Sequence, residues 1–106
     1  MNEQQQQRLA GYLGIAQRAG KIAAGDTLAK EALLRRKARL LVVAEDASPQ
    51  VREELLLLAG SNVPVLSWPD KNDLGRVVGK SRRGAVAVLD GGLAQAMLKV
   101  LGPAEK

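Results

Sequence analysis

The sequence has no cysteine, no histidine and no phenylalanine, and its only aromatic side chains are Tyr12 and Trp68. Without cysteine there are no disulfides, zinc ribbons or thiol nucleophiles. Without histidine the chain lacks the commonest general base and the commonest metal ligand. Both absences point away from an enzyme, and neither a cofactor nor a metal is expected. Single-strand nucleic-acid binders that work by stacking need several aromatics on one sheet face, which this chain cannot supply. No apolar run is long enough to span a bilayer. The glutamine-rich start Met1-Asn2-Glu3-Gln4-Gln5-Gln6-Gln7 has no signal-peptide character. The expectation is a cytoplasmic protein with no membrane contact.

What is present is apolar and basic. A chain of 106 residues with 46% apolar content fits one globular domain spanning residues 1–106. The net charge of +5 is unevenly placed. Arg8 to Arg39 carries a net charge of +6, Glu45 to Asp73 a net charge of −4, and Arg76 to Arg83 four basic residues with no acid among them. Two basic blocks flanking an acidic one favour a polarised molecule with one anion-binding face. With stacking excluded, recognition would rest on phosphates, helix termini and the shape of a folded RNA.

Periodicity predicts alternating helices and short strands. A first helix runs from about Glu3 to Ala19, with Leu9, Leu13 and Ala16 on one stripe and Gly20 closing it. Lys21 to Ala24 is a short strand, and a second helix runs from Asp26 or Thr27 to Arg36. Leu40-Leu41-Val42-Val43-Ala44 and Ala85-Val86-Ala87-Val88-Leu89 are continuous apolar runs, as in strands buried on both faces. Ser48-Pro49 starts a third helix with Leu55, Leu58 and Ala59 inward. Val63-Pro64-Val65-Leu66 reads as a short strand whose proline marks an edge or a strand start. Asp70 caps a fourth helix carrying Leu74, Val77 and Val78. A last helix follows Gly91-Gly92, with Leu93, Ala96, Met97, Val100 and Leu101 inward. The sum is an α/β protein, a three-layer α/β/α sandwich with a small mixed sheet of about four strands and about five helices.

Two segments carry the functional reading. Gly25-Asp26-Thr27-Leu28-Ala29-Lys30 opens a helix, where unpaired N–H groups and a positive dipole end favour an anion. Gly79-Lys80-Ser81-Arg82-Arg83-Gly84-Ala85 links a helix to a buried strand and crowds three cations into four positions. Lys21, just before the first segment, adds to it. The plainer reading of Gly25 is a turn with Asp26 or Thr27 capping the helix, and both readings can hold together. Gly79-Lys80-Ser81 is not a phosphate loop, because Leu74 stands where that motif needs glycine and the strand and helix are in the wrong order. Glu45-Asp46 follows a buried strand, where a cation could sit, but Asp46-Ala47-Ser48-Pro49 reads better as a turn into a capped helix.

The stretches LGIAQRAGKIAAG, KARLLVVAEDASP and NVPVLSWPDKNDLGRVVGKSRRGAVAVLD, in that order, resemble the L7Ae/L30e ribosomal protein family, and within it the bacterial YlxQ-type branch. The likeness runs from about Leu9 to Leu101. It implies an α/β/α sandwich that binds kink-turn RNA, a sharply bent helix built on tandem G·A pairs. The expected partners are a structured RNA, either rRNA or a kink-turn RNA, and a ribosome or ribonucleoprotein, without DNA. Carried onto this chain, the RNA surface comprises Lys21, Gly25, Asp26, Thr27, Leu28, Lys30, Lys80, Ser81, Arg82, Arg83, Gly84 and Ala85. The helix after Gly25 would meet the G·A pairs, and the loop from Lys80 to Ala85 would hold the flipped-out nucleotide. One departure is plain: the family's Asn-Glu positions hold Thr27 and Leu28, and Lys30 is displaced by one. A protein-interaction adaptor on the same fold is the competing expectation.

Overall fold

The computed structural model describes residues 1–102. Along it run α1 (Glu3–Arg18), β1 (Ile22–Ala24), α2 (Asp26–Leu34), β2 (Leu40–Ala44), α3 (Pro49–Ala59), β3 (Val65–Trp68), α4 (Lys71–Val77), β4 (Ala85–Val88) and α5 (Gly91–Val100). The strands form one mixed sheet in the order β1-β4-β2-β3. β4 is antiparallel to both neighbours, setting Ile22 and Leu40 opposite Val88 on its two sides, while β2 and β3 are parallel.

All residues of β2 and β4 are buried, so both sheet faces are covered. α2 packs on α3 in one helical layer, and α1 packs on α4 and α5 in the other. This is the α/β/α sandwich expected from the apolar runs. Each large aliphatic side chain taken fully out of water here contributes about 1.5–3 kcal/mol. Among the described residues no helix is long and apolar enough to cross a membrane.

Local chemistry explains where the elements begin. Asn2 and Gln5 close a capping box on α1, and Gly20 at φ 71° takes the left-handed turn after it. Ser48 Oγ accepts from Val51 N at 3.2 Å, with Pro49 in the first turn of α3. Asp70 and Asp90 cap α4 and α5 through their carboxylates.

Several details differ from the sequence expectation. β3 starts at Val65 rather than Val63, because Pro64 has no N–H to donate and pairing begins at the Val65–Leu41 register. It then extends to Trp68. β4 ends at Val88 rather than Leu89, and α5 begins at Gly91 itself because Asp90 caps it. In α5 the buried residues are Ala94, Met97 and Val100, while Leu101 caps the end 37% exposed. In α3 Leu55 and Ala59 are buried and Leu58 only partly so.

Trp68 is fully buried, and its Nε1–H donates to Asp73 Oδ2 at 2.8 Å. Arg76 pairs with the other carboxylate oxygen, and Gln6 of α1 reaches Oδ2 at 3.4 Å. Burial alone would raise the Asp73 pKa. The hydrogen bonds from Arg76 and Trp68 and the Arg76 charge outweigh it and hold the carboxyl below its ordinary value. One carboxylate thus joins β3, α4 and α1.

Candidate nucleic-acid interface

α2 begins without a side-chain cap. Asp26 and Thr27 do not cap it; the N-cap is Gly25, at φ 121°, a conformation open to glycine and strained for other residues. The first helical bond is Ala29 N to Gly25 O at 2.8 Å, which leaves the amides of Asp26, Thr27 and Leu28 without a partner within the helix. Gly25 N–H itself donates to Ala85 O at 2.8 Å. That bond ties the helix start to the end of the loop between α4 and β4.

The loop is fixed from several sides. Gly75 lies under it, Arg83 N donates to Lys71 O at 3.0 Å, and Gly84 O accepts from Ala44 N at 2.8 Å. Lys71 N in turn donates to Asp46 Oδ1 at 2.9 Å, so the Glu45-Asp46 pair serves a turn, with Asp46 holding the start of α4. Arg83 lies across Gly25: a Cβ added there would stand 3.6 Å from Arg83 Cδ. Its guanidinium Nη1 donates to Ser81 Oγ at 2.9 Å and to Arg82 O at 3.0 Å. Gly84 is similarly close to Asp26 and Ala47. The two segments singled out in the sequence therefore meet, and they border a hollow of about 270 Å³ lined by Asp26, Ala47, Ser48, Lys71, Arg82 and Gly84.

Not every expected residue belongs to this meeting point. Thr27, Leu28, Lys80, Ser81 and Arg82 are exposed around it, Leu28 by 51%. Lys80 follows Gly79, which lies beside the Gln17 side chain of α1. Ala85 is fully buried, so its part is to hold Gly25 through its carbonyl. Lys30 Nζ is 2.6 Å from Glu54 Oε2 of α3, a partner the linear sequence did not reveal. Lys21 stands at the opposite end of β1 from Gly25, roughly 13 Å of strand away. Trp68 is sealed in the core and offers no stacking face. Lys71 was missed: counted with the acidic block, it is brought to the hollow by the Asp70 cap immediately before it.

In chemical terms the site is a rim of cations and free amides around one carboxylate, Asp26. It can take phosphate oxygens and hydrogen-bonding edges. Among the described residues no cluster of acidic side chains could hold a metal.

The model of the ribosomal protein L7Ae/L30e/S12e/Gadd45 family matches residues 7–98. The chain is 32% identical over 90 residues to the RNA-binding protein YlxQ of Bacillus subtilis, covering 84% of this chain and 90% of that protein. It is 35% identical over 85 residues to the large ribosomal subunit protein eL8 of Cenarchaeum symbiosum, covering 78% and 68% respectively. A solved structure of a protein of unknown function from Bacillus halodurans superposes with a TM-score of 0.82 at 26% identity, covering 90% of this chain and 97% of the other.

Proposed function

The chain belongs to the ribosomal protein L7Ae/L30e/S12e/Gadd45 family, and on that premise we propose that it is a non-catalytic RNA-binding protein, associated with the ribosome, that recognises a kink-turn-like RNA. The uncapped start of α2 meets the bent helix at its G·A pairs. The loop from Lys80 to Gly84, with Lys71 beside it, takes the phosphates and the flipped-out nucleotide. The observation that carries this reading is the 2.8 Å bond from Gly25 N to Ala85 O, which ties the uncapped start of α2 to the loop that carries Arg82 and Arg83. Helix amides and guanidinium groups side by side form an anion site without any aromatic platform.

The adaptor reading draws on Leu57 and Leu34, which are 82% and 59% exposed. Salt separates the two. About four phosphate contacts give a slope of log K against log salt of roughly −3 to −4. The test is a titration of a kink-turn RNA at several salt concentrations. An RNA affinity indifferent to salt sinks the RNA reading and favours an adaptor.

A further inference from the structure

A second group of cations lies at the other end of the sheet. Arg39 N donates to Val88 O at 2.7 Å, and Leu89 N donates to Lys21 O at 2.8 Å. Arg39 and Lys21 therefore flank the end of β4 on its two sides, about 10 Å apart by strand spacing. Arg36 and Lys37 close the end of α2, three and two residues before Arg39. Arg36 and Arg39 also border a hollow of about 440 Å³ together with Asn62, Leu33 and Leu58. All four cations are exposed, and among the described residues none has an ion-pair partner. The acids nearby are engaged: Glu31 pairs with Arg35, and Asp90 caps α5.

The backbone adds a second observation. Arg36 has φ 59° and, among the described residues, is the one non-glycine in the left-handed region. Lys37 N donates to Ala32 O and Arg36 N to Leu33 O, the pattern that ordinarily places glycine at this position. An arginine stands there against its backbone preference. A helix C-terminus favours a cation or two in its last turn, but that does not call for two more on either side of the end of β4.

We propose that this end is a second RNA-binding surface, for the phosphate backbone of another RNA segment, so that the protein bridges two segments. The inference rests on the RNA-binding reading for the first surface. A cation cluster without an aromatic anchor suits phosphates, which bind through counterion release, better than a protein partner, whose interfaces centre on buried aromatics. Lys21 belongs to this surface by position.

The test immobilises a kink-turn hairpin, loads the protein on it, and measures retention of a labelled plain RNA duplex. Retention is expected. The double variant Arg36→Gly with Arg39→Ser should leave loading unchanged and lower the salt slope of duplex retention by about two. Arg36→Gly alone should raise the melting temperature, so a loss of duplex binding is not a loss of fold. Loading without duplex retention overturns the second surface and spares the first, as does retention unaffected by the double variant or equally well competed by polyglutamate. If the hairpin does not load, the first reading fails. Duplex binding by the free protein, lost in the double variant but kept in Arg82→Ala, then still supports the second surface, and any other pattern overturns it.

Discussion

Gly75 and Ser81 touch backbone to backbone: a Cβ added to Gly75 would stand 1.8 Å from the Ser81 carbonyl oxygen. The basic loop rests on α4 only because that glycine has no side chain. Gly75→Ala should therefore push the loop outward, cost about 1–3 kcal/mol of stability as overpacking does, and weaken RNA binding beyond the stability loss. The control is Gly11→Ala in α1, where a Cβ meets nothing within 4 Å. There the change should stabilise by about 0.5–1 kcal/mol and leave binding alone. Denaturant melts and RNA titrations of both variants check this pair.

Lys30 is held by Glu54, so a phosphate bound there would have to compete for it. Glu54→Gln should free the lysine, tighten RNA binding and steepen the salt slope by about one. Stability should change by less than about 1 kcal/mol, because the pair is half exposed. An unchanged slope would place Lys30 outside the RNA contact.

Asp73 makes stability depend on acid. Its pKa is lowered on folding, so its contribution is full above the ordinary value of about 3.8 and is lost as pH falls through the lower folded value. Wild-type protein should lose more stability than Asp73→Asn on acidification below about pH 4. At neutral pH the variant should be less stable by about 1–3 kcal/mol, since the Trp68 N–H loses its carboxylate. Melts followed by Trp68 fluorescence measure both.

Leu28 stands where the resemblance places a carboxylate that accepts from a guanine edge. An unpaired guanine donor costs about 1–3 kcal/mol. The double change Thr27→Asn with Leu28→Glu should recover that much on a kink-turn RNA. On the same RNA with its G·A pairs replaced by Watson–Crick pairs it should gain nothing. Equal gains on both RNAs would show that α2 does not meet those pairs.

The sequence made much of this legible. The runs at Leu40–Ala44 and Ala85–Val88 are apolar at every position, which marks central strands, and Ser48-Pro49 and Asp70 carry their capping chemistry in plain view. The two glycine-bounded segments could be picked out because turn chemistry is local. What stayed hidden was set by pairing at a distance. Pro64 fixes the start of β3 only through its register with Leu41, and the Lys30–Glu54 pair exists because α2 and α3 pack side by side. Lys21 looked like company for Gly25 because they are near in sequence, but an extended strand carries the two apart. Lys71 was hidden by averaging its charge over an acidic stretch.

β4 is hydrogen-bonded on both edges and buried on both faces. Gly84 precedes it and Leu89 follows it, so the two ends of the sheet are joined by an inextensible gauge four residues long. Such a bar neither hinges nor slips by a residue without exchanging every inward side chain for its neighbour. A ligand that reaches both ends must itself bend to the span. Any adaptation falls to the partner.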